Sequence, residues 1–337
     1  MTFDPNAPSV RGSDIFGLPI EPGQARIHLL PIPFDATVTY RAGAADGPSI
    51  INTASTQVDL LDHQFGAVWT HGIHLLDEDP NIRALSEQTR SRLAPIIERG
   101  DALTSHPDVV RTVTDAGQRI DASVHRHVRA LLLRDRIPGV LGGEHAVSLG
   151  AIRACAAHVD RLGILQLDAH MDLHAAFGGV PHSHASVMHN ALEACDNITR
   201  LVQVGIRDYA EDERDTACAQ PQRITTHFDM DWWRALDAGA TFTDLCARAI
   251  EPLPADVYVT FDIDALDPSL CPGTGTPVPG GLTFNQASVL LESLARSGRR
   301  IVGFDLVEVA PGNDADWNGA VGARILYKLC GCALGTT

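Results

Sequence analysis

The chain alternates short apolar runs with longer segments in which apolar residues recur every three or four positions. The apolar runs are rich in Val, Ile and Leu, which is typical of strands buried on both faces. The longer segments have the period of amphipathic helices, and some begin with start signals such as Pro107-Asp108. The predicted strands cover residues 27–32, 139–142, 162–167, 200–205, 224–227, 257–261 and 301–307. The predicted helices cover residues 47–61, 108–135, 146–159, 185–195, 211–219, 241–250, 284–297 and 317–330.

This alternation predicts a three-layer α/β/α fold with a mostly parallel sheet. Repeated strand–helix–strand units connect through right-handed crossovers, so helices cover both faces of the sheet. No linker rich in Pro, Gly or Ser divides the sequence, and it contains no internal repeat. Residues 25–337 are therefore predicted to form one catalytic domain. Residues 1–24 contain several prolines without periodicity, and we expect them to form an arm over the surface or onto a neighbouring subunit.

The composition narrows the classes of partner. The 337 residues are 45% hydrophobic and 20% charged, which is ordinary for a soluble globular protein. The formal net charge of −16 disfavours nucleic acid and anionic membrane surfaces and favours a small cationic ligand. The sequence has no run of 18 apolar residues, no signal-peptide layout at its start, and seven cysteines without a C-x-x-C motif. These features predict a cytoplasmic protein with reduced thiols.

Two predicted strands are followed by sequences that combine Asp with His. In open α/β sheets, functional groups collect at the carboxyl ends of the strands. Side chains alternate along an extended strand, so every second residue points to the same side. We therefore expect five ligand-type side chains to point into one crevice. They are Asp168, His170 and Asp172 after the strand at 162–167, and Asp262 and Asp264 after the strand at 257–261.

A set of carboxylates at one sheet edge indicates a divalent metal site. Buried carboxylates repel one another and lose hydration, which raises their pKa values or requires cations. Carboxylates with a few imidazoles and no thiolate suit Mn²⁺, with Fe²⁺, Co²⁺, Ni²⁺ or Zn²⁺ as alternatives. A calcium-binding EF-hand is excluded because the twelfth residue from Asp262 is Gly273, where that loop requires Glu. Solvated strand ends would explain any single aspartate, but they explain the whole set less well.

A third strand end carries Gly142-Gly-Glu-His145. The glycines allow a tight turn, which would put His145 at the mouth of the same crevice. A histidine at such a turn is more often structural, so this motif alone is weak. The similarity to a serine nucleophile elbow fails because position 146 is Ala where that motif has Gly.

These three motifs together resemble the metal-binding signatures of the ureohydrolase family (arginases and agmatinases), in the same order and at similar spacing. The resemblance extends over most of the chain. It implies an eight-stranded parallel sheet and two metal ions, usually manganese, with a hydroxide that attacks a guanidinium carbon to release urea and an amine. The further similar segments are Pro31-Ile-Pro-Phe-Asp35 with Tyr40-Arg-Ala-Gly43, Pro272-Gly-Thr-Gly-Thr-Pro277, and Gly303-Phe-Asp-Leu-Val-Glu-Val-Ala-Pro311.

The resemblance also implies a metal-ligand set. Asp168 and Asp262 would bridge the two ions, and Asp172 would be both ligand and catalytic residue. The first ion would be held by His145, Asp168, Asp172 and Asp262, and the second by Asp168, His170, Asp262 and Asp264.

Two more catalytic roles follow from the same resemblance. His184 matches the histidine that delivers a proton to the leaving nitrogen, although His182 and His189 are rivals by composition. Glu308 matches the carboxylate that binds the substrate guanidinium, and a paired carboxylate–guanidinium contact both orients and selects. Both residues are thus also predicted to contact substrate.

The substrate is predicted less directly. The loop at 173–180 has few of the polar groups that bind the α-carboxylate in arginine-specific members, and Asp208 falls where arginases contact the α-amino group. Agmatine satisfies both observations, with putrescine and urea as products. Alternatives are 4-guanidinobutyrate, 3-guanidinopropionate, guanidine or a specialised guanidino metabolite. A guanidino acid would require a basic residue near the pocket mouth, and Arg207 is a candidate whose other interpretation is a buried structural ion pair. Glu144 and Asn318 depart from the commoner family pattern and leave the substrate open.

An alternative of another class is a non-catalytic, metal-dependent assembly protein. Loss of ligands would favour it, but the six candidate ligands are present in the sequence. The resemblance further implies a homo-oligomer, either a trimer or a hexamer.

Overall fold

Eight parallel strands form one sheet in the described part of the chain. The structure is a computed structural model that describes residues 3–7, 9, 14–312 and 315–335. The strands follow the spatial order β2-β1-β3-β8-β7-β4-β5-β6. Their bounds are β1 Ile27–Ile32, β2 Ile73–Leu75, β3 Ile137–Gly142, β4 Leu162–Leu167, β5 Ile198–Ile206, β6 Ile224–Phe228, β7 Asp256–Asp262 and β8 Arg300–Val307.

Helices cover both faces of this sheet and form two apolar cores. Helices α1 and α7–α10 pack on one face, and α2–α6 pack on the other. The predicted three-layer α/β/α class is thus confirmed. The bounds are α1 Gly47–Ser55, α2 Pro80–Arg99, α3 Pro107–Leu132, α4 Leu149–Ala156, α5 Val187–Ala194, α6 Glu211–Ala219, α7 Asp229–Asp237, α8 Phe242–Ile250, α9 Phe284–Arg296 and α10 Ala315–Leu334.

Three elements were not predicted, namely β2, α2 and α7. Strand β2 has three residues, too few to show a period. The buried side of α2 contains the polar residues Ser86 and Thr89 between its apolar residues. The sequence of α2 therefore shows no clear hydrophobic period. In α7 only Trp232 is buried, and a single buried position does not define a buried face of a helix.

Part of the expected arm packs into the main body of the fold. Ile15 and Phe16 are fully buried in the same core as β1, and the Phe16 ring meets Tyr327 edge-on at 4.9 Å between centroids. The backbone N–H of Phe16 donates to Ser55 Oγ at 2.8 Å. Residues 1, 2, 8 and 10–13 of the expected arm lie outside the described residues. The division of the chain at residue 24 stays a prediction.

The strand order determines where distant parts of the sequence meet. Five strands, β3, β8, β7, β4 and β5, are consecutive neighbours in the middle of the sheet. Because they are parallel, their carboxyl ends lie side by side, and the loops that follow them share one edge. Within the described residues, no helix is both long and apolar enough to cross a membrane.

Candidate metal centre and substrate cavity

The six predicted ligands lie together at the carboxyl ends of β3, β4 and β7. His145 Nδ1 is 2.8 Å from Asp172 Oδ2, 3.1 Å from Asp168 Oδ2 and 3.5 Å from Asp262 Oδ2. On the other side of Asp168, His170 Nδ1 is 3.6 Å from Asp168 Oδ1 and 3.1 Å from Asp264 Oδ2. Asp168 therefore faces both imidazoles, as expected of a carboxylate between two ions.

The ligands after β4 converge through tight turns rather than through strand alternation. Strand β4 ends at Leu167, so the expected alternation beyond it is wrong. The Asp168 carboxylate turns the chain by accepting the His170 backbone N–H at 2.7 Å. Asp172 has a left-handed backbone with φ of 55°, a conformation that costs a non-glycine residue energy and is common at functional sites.

A similar turn follows β7. Asp262 is the last residue of the strand, and its Oδ1 accepts the backbone N–H of Asp264 at 2.8 Å. Asp264 Oδ1 in turn accepts the backbone N–H of Ala169 at 3.0 Å. These bonds tie the two loops together and leave the other carboxylate oxygens of both aspartates near the imidazoles.

Two buried residues that the sequence did not predict hold the far side of His145. Its Nε2 lies 2.8 Å from Thr260 Oγ1, and that hydroxyl donates to Asp305 Oδ1 at 2.8 Å. The Thr260 hydroxyl can therefore accept a proton from Nε2, which leaves the Nδ1 lone pair directed at the carboxylates. The signal in the sequence was Asp305 itself, a charge inside an apolar strand buried on both faces.

Burial and neighbouring charges shift the pKa values of the residues in the cluster. Burial, together with neighbouring Asp168, raises the pKa of Asp172 to about 7. Burial and the charges of Asp264 and Asp168 raise the pKa of Asp262 well above its usual range. Burial opposes protonation of His170, but the Asp264 charge and the Asp168 carboxylate outweigh it and raise its pKa to about 12. The cluster thus holds more negative charge than its surroundings stabilise.

These residues fit two divalent cations. His145 Nδ1 is buried and has no hydrogen-bond partner, although three carboxylate oxygens lie within 3.5 Å of it. A cation among these atoms would bind the imidazole and the carboxylates at once. The negative formal charge of the four ligand carboxylates balances the positive charge of two divalent ions. Two groups of potential ligand atoms share Asp168: His145 with Asp168 and Asp172, and Asp168 with His170 and Asp264.

A cavity of about 360 Å³ opens over this cluster. Phe177 and Tyr209 contribute aromatic walls, and Tyr209 is 42% exposed at the mouth. Among the described residues that line it, none is Lys or Arg. The cavity brings together the predicted catalytic and substrate residues, which are His184, Glu308, Asp172 and Asp208.

Glu308 enters the cavity directly after β8 through a left-handed backbone with φ of 63°. Its Oε1 accepts the backbone N–H of His145 at 2.8 Å, which fixes the carboxylate beside the metal cluster. Burial raises the pKa of Glu308 to about 8. A cationic group in the cavity would therefore stabilise its ionised form.

His184 lines the cavity, whereas its rivals His182 and His189 do not. The loop at 173–186 carries it, and the Phe177 ring meets it edge-on at 5.6 Å between centroids. Burial, together with the charges of His170 and His145, lowers the pKa of His184 to about 4.

Three acidic residues after β5 have different surroundings. Asp208 lines the cavity and is exposed. Glu213 also lines the cavity, but it is buried and its carboxylate accepts the backbone N–H groups of Leu173 and Ala210, so it anchors loops. Glu211 lies outside the cavity lining and pairs with Arg214.

Arg207 does not line the cavity. Its guanidinium donates to four backbone carbonyls, including those of Asp264 at 2.7 Å and Val278 at 2.9 Å. Of the two interpretations open from the sequence, a structural role or a base for an acidic substrate, the geometry favours the first. The bonds are to backbone carbonyls rather than a carboxylate partner.

Comparison with known proteins places this geometry in a family. The sequence profile of the arginase family matches residues 25–331. The chain belongs to the arginase family. It is 31% identical over 313 residues to the N(1)-aminopropylagmatine ureohydrolase of Thermococcus kodakarensis, covering 93% of this chain and 92% of that protein. It is 32% identical over 291 residues to the agmatinase of Cronobacter sakazakii, covering 84% and 79%.

A solved structure of the same family has the same fold. The agmatine ureohydrolase of Thermoplasma volcanium superimposes with a TM-score of 0.73 at 22% identity, covering 97% of this chain and 95% of that one. As an arginase-family ureohydrolase, the protein is a hydrolase of guanidino carbon–nitrogen bonds. The family implies a binuclear metal centre, which the His/Asp cluster can hold.

Proposed function

We propose that the protein hydrolyses agmatine to putrescine and urea, using two manganese ions. The observation that carries this proposal is the charge of the cavity, whose described lining includes Glu308 beside the His/Asp cluster and Asp208 after β5, but neither Lys nor Arg. Agmatine is a cation at both ends, so each end meets a carboxylate. The two relatives are named agmatinase and N(1)-aminopropylagmatine ureohydrolase, which agrees with an amine-ended guanidino substrate.

The guanidinium end is assigned to Glu308. This carboxylate lies beside His145, and a guanidinium can donate two parallel hydrogen bonds to it. The contact would direct the guanidinium carbon toward the metal cluster. It would also discriminate against simple amides, which lack the second donor and the positive charge.

The ammonium end is assigned to Asp208 at the mouth. The apolar walls of Phe177 and Tyr209 suit the methylene chain between the two charged groups. An acidic substrate such as 4-guanidinobutyrate would bring a carboxylate to Asp208, which repels it, and Arg207 is held by backbone carbonyls outside the lining.

The residues proposed to hold the two cations are those predicted from the sequence, which are His145, Asp168, His170, Asp172, Asp262 and Asp264. When bound, the two cations would supply a water of lowered pKa as the nucleophile near neutral pH. Glu308 holds the guanidinium in position for attack. Burial lowers the pKa of His184 to about 4, so its ring is neutral near pH 7 and can take the proton that the attacking water loses. It passes that proton to the leaving nitrogen as the carbon–nitrogen bond breaks, which releases a neutral amine, and the remaining hydroxyl proton goes to solvent as urea forms.

A second candidate substrate is N(1)-aminopropylagmatine. The cavity is open past Asp208 and Tyr209, both of which are exposed, so a longer polyamine chain can extend toward solvent. The relative from Thermococcus kodakarensis is named for this substrate, and its similarity covers 93% of the chain. We further propose a cytoplasmic homo-oligomer, a trimer or a hexamer, with a role in polyamine metabolism.

Urea release from the Mn²⁺-loaded protein tests the function. The panel contains agmatine, N(1)-aminopropylagmatine, arginine, 4-guanidinobutyrate, 3-guanidinopropionate and guanidine. We expect the highest kcat/KM with agmatine, and a higher value with the aminopropyl compound would select the second candidate. His145→Ala or Asp264→Asn should lower both metal content and turnover. Preference for an acid, or urea from none of these compounds with two metals bound per chain, would overturn the proposal.

A further inference from the structure

We propose that Thr37 is a positioning residue that holds the His184 ring so that Nε2 alone faces the cavity. The inference rests on the proposed role of His184 as the proton donor. Thr37 lies in the loop after β1, far from His184 in sequence, and it does not line the cavity. Its hydroxyl is nevertheless the polar group that contacts both the backbone and the ring of His184.

The contact is double and buried. Thr37 is 3% exposed, and its Oγ1 accepts the backbone N–H of His184 at 3.0 Å. The same oxygen lies 3.1 Å from His184 Nδ1. Together these bonds determine both the path of the chain at His184 and the rotation of its ring. Because Nδ1 is engaged, proton exchange with a molecule in the cavity is left to Nε2.

A hydroxyl suits this position for a chemical reason. It can donate to Nδ1 or accept from it, so the contact survives as the ring gains and loses a proton. It carries no charge, whereas a carboxylate at the same place would stabilise the imidazolium and oppose release of its proton. Thr37 therefore orients the ring without holding its proton.

The backbone of Thr37 is itself held by Glu144, one of the two residues noted above as departures from the commoner family pattern. Glu144 is fully buried, and its Oε2 accepts the backbone N–H of Thr37 at 2.7 Å. Asp35 closes the same loop by accepting the backbone N–H of Gly43 at 2.8 Å. The Gly142-Gly-Glu-His145 motif thus anchors the loop that orients His184.

The experiment compares Thr37→Val, which removes the hydroxyl at nearly constant shape, with Thr37→Ser, which keeps it. Urea release is measured with agmatine, alongside metal content and the thermal unfolding midpoint. For Thr37→Val we expect kcat about 10–100-fold lower, with KM changed less than about threefold, because misorientation of an acid–base group affects the chemical step. Thr37→Ser should stay within about threefold of wild type. Thr56→Val, the same change at a buried threonine of α1's end, controls for loss of a buried hydroxyl.

A double-mutant cycle shows whether Thr37 acts through His184. In a His184→Ala background, Thr37→Val should lower kcat little further, because the ring that it positions is gone. Wild-type kcat in Thr37→Val, or a full additional loss in the double variant, would overturn the positioning role alone. Wild-type kcat in His184→Ala would overturn the proposed proton donor, and the role of Thr37 with it.

Discussion

The hydrogen bond behind His145 should set how tightly the protein holds its metal. Thr260 and Asp305 are register partners on β7 and β8, so their side chains meet on the same side of the sheet. Both are fully buried. Thr260→Val replaces the hydroxyl by a methyl group of similar size and leaves His145 Nε2 without its partner at 2.8 Å.

The magnitude follows from that unpaired donor. A buried donor without an acceptor costs about 1–3 kcal/mol. With Nδ1 bound to a cation, the proton of a neutral imidazole must sit on Nε2, so this cost falls on the metal-bound state. Since about 1.4 kcal/mol is a tenfold change in affinity, Thr260→Val should weaken metal binding about 5- to 150-fold. This range agrees with the usual 10- to 100-fold effect of losing a residue that orients a ligand.

The assay is competition between the protein and a chromophoric chelator for Mn²⁺, with bound metal measured by elemental analysis. Thr260→Ser keeps the hydroxyl and should bind metal within about threefold of wild type. Thermal unfolding of the metal-free variants separates lost affinity from lost folding. Wild-type affinity in a folded Thr260→Val protein would refute the reasoning, since the Thr260 hydroxyl would then contribute nothing to orienting His145.

Three further outcomes are expected. Glu308→Gln should lower kcat/KM for agmatine at least about 100-fold at unchanged metal content, because the charge-assisted contact is lost; loss of metal instead would assign Glu308 to the cluster. Asp208 is exposed, so its ion pair with the ammonium group is worth about 0.2–1 kcal/mol, and Asp208→Asn should raise KM for agmatine about 1.4- to 5-fold but leave guanidine unaffected. An equal effect on both compounds would remove Asp208 from the ammonium site. Burial and neighbouring His74 lower the pKa of His28 below 6.5, so the unfolded chain binds the proton first and stability falls as pH drops through 6.5. His28→Leu should therefore reduce the loss of thermal midpoint between pH 7.5 and 5.5, and an unchanged loss would show that other groups cause it.

Most of the sheet could be predicted because its strands are apolar on both faces. The predictions for β1 and β4 had the bounds of the strands themselves, and the other five differ by at most two residues at either end. Helix α2 was missed because Ser86 and Thr89 occupy part of its buried side. Small polar residues fit between closely packed elements, and a stripe that contains them has no clear hydrophobic period.

The candidate ligands could be predicted because Asp and His at strand ends carry a chemical signal of their own. The roles of Thr37, Thr260 and Asp305 could not be predicted, because they depend on which parts of the chain become neighbours in the fold. Thr260 and Asp305 are 45 positions apart and meet only when β7 pairs with β8. The turn at Asp168 was also hidden, since its carboxylate replaces a continued strand by a bend.

The bond between the His145 backbone and Glu308 joins two binding events. The ring of His145 lies in the candidate metal centre, and its backbone N–H holds the Glu308 carboxylate that is assigned to the guanidinium. A cation that shifts His145 must therefore shift Glu308, and the two ligands become thermodynamically linked. By reciprocity, the factor by which the metal tightens substrate binding equals the factor by which the substrate tightens metal binding. Such a protein would retain its metal best when its substrate is abundant, and would lose it to competing chelators when substrate is scarce.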